Sequence, residues 1–230
     1  MRPVQPVFVH GWGFGPEFWA PVVAALGWTD ALMLDLGFLE GPVPASPILA
    51  AQRLQAVQMQ GRALLGVGHS LGFLWLAGHM ALLPTDRLVG INAFAAFAAR
   101  ESFASGVPVR VLQRMLKGLS DTPEKVLADF YSLCGAPRTS MVPCVPSLRK
   151  GLDLLLAGDA RPVLAAKAGH YGILAARHDP VATPAMTEES FAGCTAAQWV
   201  DGGHLLPQTH VSACAAFLQA ARRTMEQDVK

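Results

Sequence analysis

Short apolar runs alternate along this chain with longer stretches whose apolar residues recur every three or four positions. The short runs predict strands at residues 4–10, 31–36, 63–67, 87–93, 171–176 and 197–200. The periodic stretches predict helices at 16–26, 48–60, 71–83 and 210–223, the third stopped by Pro84. Residues 37–47, rich in Gly and Pro, read as a loop. Arg222 and Arg223 are expected in the last turn of the closing helix, where cations suit the helix dipole. Strands apolar on both faces, alternating with helices, indicate a parallel sheet covered on both sides. Active sites of such sheets form at the carboxyl ends of the strands.

The alternation fails between residues 100 and 160. Leu112, Met115, Leu116 and Leu119 keep helical spacing, as do Val126, Leu127, Phe130 and Leu133, but no strand pattern appears. The expected organisation is therefore a core of residues 1–99 and 161–230, interrupted by a helical lid at 100–160.

Composition narrows the function. Of the 230 residues, 52% are hydrophobic and 15% charged, which excludes a disordered chain. Eighteen basic and 17 acidic residues leave a net charge of +1, so no global field recruits nucleic acid or an anionic membrane. No apolar stretch reaches the roughly 18 residues of a membrane span. Arg2-Pro3 and the brief run Val7-Phe8-Val9 do not make a signal peptide. Cys134, Cys144, Cys194 and Cys214 lack the paired spacing of a zinc site and read as free thiols in a reducing compartment. A cytoplasmic monomer is the expectation.

The chemistry concentrates at Gly66-Val67-Gly68-His69-Ser70-Leu71-Gly72. Gly-x-Ser-x-Gly in a protein with 22 glycines can arise by chance, but here it follows an apolar strand and opens an apolar helix. In that setting Ser70 is the candidate nucleophile, lifted to the top of the sheet on a sharp turn. Leu71 N–H then points where an oxyanion would form. The second oxyanion donor is expected from His10-Gly11-Trp12-Gly13, with Trp12 N–H the candidate and its indole flooring the acyl pocket. His10, at a strand end before the nucleophile, is expected to bond loop backbone.

A serine hydroxyl needs a base held by a third group. His204, in Asp201-Gly202-Gly203-His204 after the last strand, fits best. His79 lies within the elbow helix, His170 before a strand, and His210 within the closing helix, while His178 is placed to line the mouth. Asp179, in the loop after the fifth strand, is the candidate acid. Asp201 is the alternative but sits too close to His204 to face it comfortably, and Asp159 precedes the strand as a solvated residue.

Taken in order, His10-Gly11-Trp12-Gly13, Gly68-His69-Ser70-Leu71-Gly72, Asp179-Pro180-Val181 and Gly203-His204 resemble an α/β-hydrolase family. It is the pimeloyl-acyl-carrier-protein methyl ester carboxylesterases of biotin synthesis, the BioH type. Phe130-Tyr131-Ser132-Leu133-Cys134 sits where that family's lid places an aromatic residue on the acyl chain, and residues 147–155 resemble the lid's exit. The resemblance implies an α/β-hydrolase fold and hydrolysis of the methyl ester of carrier-bound pimeloyl. Ser70 would attack, the Trp12 and Leu71 amides would hold the oxyanion, and His204 would protonate methanol and then activate water. The implied substrate contacts are Trp12, Leu71, Phe130 and His204.

Two features depart from the family. The usual N-terminal strand pair is missing, leaving an expected sheet of about six strands. The lid helix that should present arginines to the acidic carrier carries more acid than base over 121–130. Arg110, Arg114, Lys117, Arg138, Arg149 and Lys150 are the cations available instead. The alternatives are a general short-chain carboxylesterase, a thioesterase or a carbon–carbon hydrolase, and, in another class, a non-catalytic ligand-binding protein on this fold. No metal or organic cofactor is implied: the glycines at 11–15 lack the dinucleotide spacing.

Overall fold

The computed structural model describes residues 4–193 and 197–228. Cys194 lies outside the described residues, as do Arg2 and Pro3. The elements run β1 (Val4–Val9), α1 (Ala20–Leu26), β2 (Leu32–Leu34), α2 (Pro47–Gln58), β3 (Ala63–His69), α3 (Leu71–His79) and β4 (Arg87–Ile91). Three helices follow: α4 (Val109–Asp121), α5 (Pro123–Cys134) and α6 (Val145–Ala157). The chain closes with α7 (Arg161–Ala165), β5 (Tyr171–Ala176), α8 (Pro184–Phe191), β6 (Gln198–Val200), α9 (Leu206–Thr209) and α10 (Val211–Asp228).

The six strands form one sheet in the order β2-β1-β3-β4-β5-β6, with every pairing parallel. β1 and β3 are buried along their whole length, as the continuous apolar runs require. Parallel pairing brings the carboxyl ends of β1, β3, β4, β5 and β6 to one edge, where Trp12, Ser70, Leu71, Asp179 and His204 emerge, while Phe130 comes from α5. Among the described residues, no helix is long and apolar enough to cross a membrane.

Local chemistry sets the boundaries. Ser46 caps α2, its hydroxyl accepting from Leu49 N–H at 3.2 Å with Pro47 in the first turn. α1 and α5 end on Gly27 and Gly135, both left-handed. The helix expected over 16–26 begins as a 3-10 turn, Pro16–Trp19, before α1.

Other boundaries depart from the sequence expectation. α3 stops at His79, not at 83, because Met80 turns extended. Buried Asp86 draws that segment back to the sheet, accepting from Leu64 N–H at 2.8 Å and Leu83 N–H at 2.9 Å. β4 stops at Ile91, two residues early, because Asn92 is left-handed with φ of 49°. α10 continues to Asp228, so Arg222 is not in its last turn; its guanidinium instead reaches Glu226 at 3.2 Å and lies over the Trp28 ring. Asp159 is not simply solvated, since it pairs with Arg161 at 2.6 Å and Arg100 at 3.4 Å.

Burial pushes the Asp86 carboxyl above its ordinary range, against the pull of the two amides it holds. Asp86→Ala strands two backbone donors. It is expected to lower unfolding free energy by about 2–4 kcal/mol, read from urea denaturation.

Candidate active site

Ser70 occupies the turn between β3 and α3 with φ of 54° and ψ of −124°, a strained conformation for a residue with a Cβ. Its surroundings over-determine that strain. Ser70 N–H donates to Ile91 O at 3.2 Å, and Ser70 O accepts from Phe73 N–H at 3.1 Å. A Cβ on Gly68 would enter the Phe73 backbone, and one on Gly72 would strike the carbonyls of Val9 and His10. The elbow therefore requires hydrogen at both positions. Leu71 is the first residue of α3, so its amide has no acceptor within the helix.

Asp179 and His204, the candidate acid and base, meet in the dry interior. His204 Nδ1 lies 2.8 Å from Asp179 Oδ2 and 3.0 Å from Oδ1, with both side chains fully buried. Val181 and Ala182 amides donate to Asp179 Oδ1 at 2.7 and 2.9 Å, and Asn92 Nδ2 donates to Oδ2 at 2.7 Å. These donors and the imidazole hold both carboxylate oxygens in place. The carboxylate in turn fixes the proton of His204 on Nδ1, leaving Nε2 as the basic nitrogen. Among the described residues Nε2 has no hydrogen-bond partner. The Ser70 hydroxyl does not complete that bond in this structure.

The alternatives lie elsewhere. Asp201 pairs with His178 at 2.7 Å, both largely exposed. His79 stacks on Trp75 and donates from Nδ1 to its carbonyl at 2.8 Å. His170 precedes β5, and its carbonyl accepts from Leu88 N–H. His210 separates α9 from α10. His10 is buried, donates from Nδ1 to Gly11 O at 3.0 Å, and holds the loop backbone as expected.

The loop after β1 is clasped from above. Trp12 is buried, and its indole Nε1 donates to Leu148 O at 2.9 Å on α6. Phe130 of α5 meets that indole edge-on at 5.0 Å. The indole is thus an anchored contact between the loop and the covering helices. Tyr131 Oη donates to Gly13 O at 2.5 Å, and Phe14 stacks on the Tyr131 ring.

Sequence reasoning missed His69, Asn92, Phe14 and Tyr131. His69 Nε2 donates to His204 O at 2.9 Å, and its ring packs against the His204 ring at 4.7 Å and Phe18 at 4.4 Å. Complete burial, reinforced by His204, holds the His69 imidazole well below the usual histidine range, so it stays neutral. Burial pushes the nearby thiol of Cys134 well up. A histidine wedged between Gly68 and Ser70 was the available signal for the first of these residues. Among the described residues, no three His, Cys, Asp or Glu side chains are grouped to hold a metal ion.

Comparison with known proteins agrees with this architecture. The model of a family described as alpha/beta hydrolase matches residues 7–217. An esterase from Exiguobacterium antarcticum superposes with a TM-score of 0.75 at 14% identity, covering 94% of this chain and 92% of that one. The enol-lactonase of Burkholderia xenovorans LB400 gives 0.74 at 15% identity over 96% and 92%. In sequence, the biotin biosynthesis bifunctional protein BioHC of Saccharophagus degradans is 28% identical over 134 residues. That match takes in 54% of this chain and 24% of BioHC, so the chain spans about a quarter of that relative's length.

The depressed His69 makes a pH prediction. Unfolded His69 takes up a proton below about pH 6.5 that the folded protein refuses, so its contribution is present above that pH and is lost as pH falls. Thermal melts from pH 7.5 to 5 should show His69→Gln with a shallower fall in Tm than the wild type.

Proposed function

The chain belongs to the alpha/beta hydrolase family, and on that footing we propose that it is a serine carboxylesterase working through an acyl-enzyme at Ser70. The observation that carries this reading is the buried Asp179–His204 pair, whose imidazole packs on His69, the chain neighbour of the strained Ser70. Ser70 Oγ attacks the ester carbonyl as His204 Nε2 takes its proton. The negative oxygen of the tetrahedral intermediate is held by the amides of Leu71 and Trp12. Asp179 stabilises the imidazolium, which then protonates the departing alcohol. Water, deprotonated by the same nitrogen, releases the acid and restores Ser70.

The substrate we propose is the methyl ester of a dicarboxylic acyl chain on acyl-carrier protein, as in biotin synthesis. The partial match to BioHC supports it, as does the position of Phe130 against Trp12, where it would lie along a methylene chain. Ser70, Asp179 and His204 are each 4% exposed or less, so the helices α4–α6 act as a lid that must shift to admit substrate. Beside the site, a cavity of about 410 Å³ lined by Phe14, Phe18, Leu205, Glu17 and Arg138 offers room for part of the acyl group. Arg110, Arg114, Lys117, Arg149 and Lys150 are exposed on α4 and α6 and would face the acidic carrier.

A free short-chain ester is the second reading. What favours it is α5, whose exposed face carries Glu124 and Asp129, with Lys125 already paired to Asp129 at 2.7 Å.

Two measurements test these readings. Ser70→Ala should abolish fluorophosphonate labelling and lower kcat by more than about 10⁴-fold; labelling that persists would sink the nucleophile assignment. Methyl pimeloyl-carrier protein should exceed free methyl pimelate in kcat/KM, whereas equal values would favour the free ester.

A further inference from the structure

Asn92 stands where β4 ends, and nothing in the triad scheme uses it. Its side chain is 1% exposed, and its φ of 49° is one that asparagine tolerates better than most residues. The single nitrogen Nδ2 lies 2.7 Å from Asp179 Oδ2 and 2.8 Å from Gly203 O. Both amide protons are therefore committed, one to the acid and one to the residue preceding the base. Flipping the amide would set its oxygen against two oxygens, so only one orientation is allowed. Oδ1 is left buried without a partner among the described residues. A buried acceptor left unpaired is a cost that a merely space-filling side chain would avoid.

The backbone completes the hub. Asn92 N–H donates to Leu174 O at 2.8 Å on β5, and the preceding carbonyl, Ile91 O, accepts from Ser70 N–H at 3.2 Å. Two consecutive residues thus bond to the nucleophile's backbone, the acid's carboxylate and the base's loop.

We infer that Asn92 is the positioning residue of this site, tying Asp179 and the His204 loop to the strand that also holds Ser70. The inference rests on the serine-hydrolase reading above. Its chemistry explains the residue type. Lysine or arginine would bring a cation to Asp179 and weaken its hold on the imidazolium. A leucine would leave Oδ2 and Gly203 O short of donors. A neutral group with two protons on one atom orders both loops and leaves the negative charge on Asp179.

A pH profile separates positioning from simple packing. The titratable groups facing His204 are Asp179, His69 and, through Asp179, Cys134 on α5. His10 lies behind His69, and the His178–Asp201 pair lies at the surface of the same loops. His69 is held neutral and Cys134 protonated, so neither adds a changing charge to the acid limb of the kcat/KM profile. In Asn92→Asp, the new carboxyl shares a proton with Asp179 and releases it as pH rises. Two negative charges then favour the imidazolium, and the acid limb should move up by about one pH unit.

Asn92→Ala and Asn92→Ser should lower kcat by about 10- to 100-fold with KM little changed, and slow fluorophosphonate labelling of Ser70 in proportion. Active-site titration corrects each variant for its folded fraction, and the isosteric Asn92→Asp carries the test if the shorter variants unfold. Folded variants with wild-type kcat and an unmoved acid limb overturn the proposal, as does a loss confined to thermal stability. Wild-type protein that is not labelled at Ser70 instead sinks the serine-hydrolase reading itself.

Discussion

A carboxylate with no access to water must find every one of its hydrogen bonds within the protein, and that demand organises the working edge of this molecule. Asp179 meets it with two amides of its own loop, an asparagine from the end of β4 and a histidine from the loop after β6. The donors come from three different parts of the chain. The loops after β4, β5 and β6 therefore cannot relax independently, because moving any one of them would leave a buried charge short of a partner. The parallel sheet supplies the frame, delivering those loops to the same edge.

The same economy of position governs the other side of the site. His69 is too deeply buried to carry a charge, and it uses its one proton to hold the main chain of His204. Ser70 next to it is bent into a strained conformation that its backbone bonds to Ile91 and Phe73 and the close packing at Gly68 and Gly72 sustain. Above them, Trp12 and Tyr131 link the β1 loop to α6 and α5 by one hydrogen bond each. The helices above are thus fastened to the same loop that carries the Trp12 amide of the proposed mechanism.

The sequence discloses what depends on local pattern. Apolar runs identify all six strands, and Gly68, Ser70 and Gly72 read directly as an elbow because steric exclusion at a turn leaves so few residue choices. The pairing of Asp179 with His204 follows from chain order once strands are assigned. Asn92 is illegible by the same logic, since one polar residue after a strand looks like any turn former until its two acceptors are seen in space. The early end of α3 depends on Asp86, whose partners lie on either side of the helix in the chain. The anchoring of the Trp12 indole is equally hidden, because its partner, a carbonyl 136 residues away, leaves no trace in spacing.

The outermost strands, β2 and β6, are each only three residues long, Leu32–Leu34 and Gln198–Val200. An exposed strand border is a template on which a second chain can add by main-chain pairing, and a run this brief offers little to grip. The sheet thereby keeps its long, mostly apolar strands in the middle and presents stubs at its margins. Such an arrangement guards the folded protein against edge-to-edge aggregation even though its centre is rich in β-forming sequence.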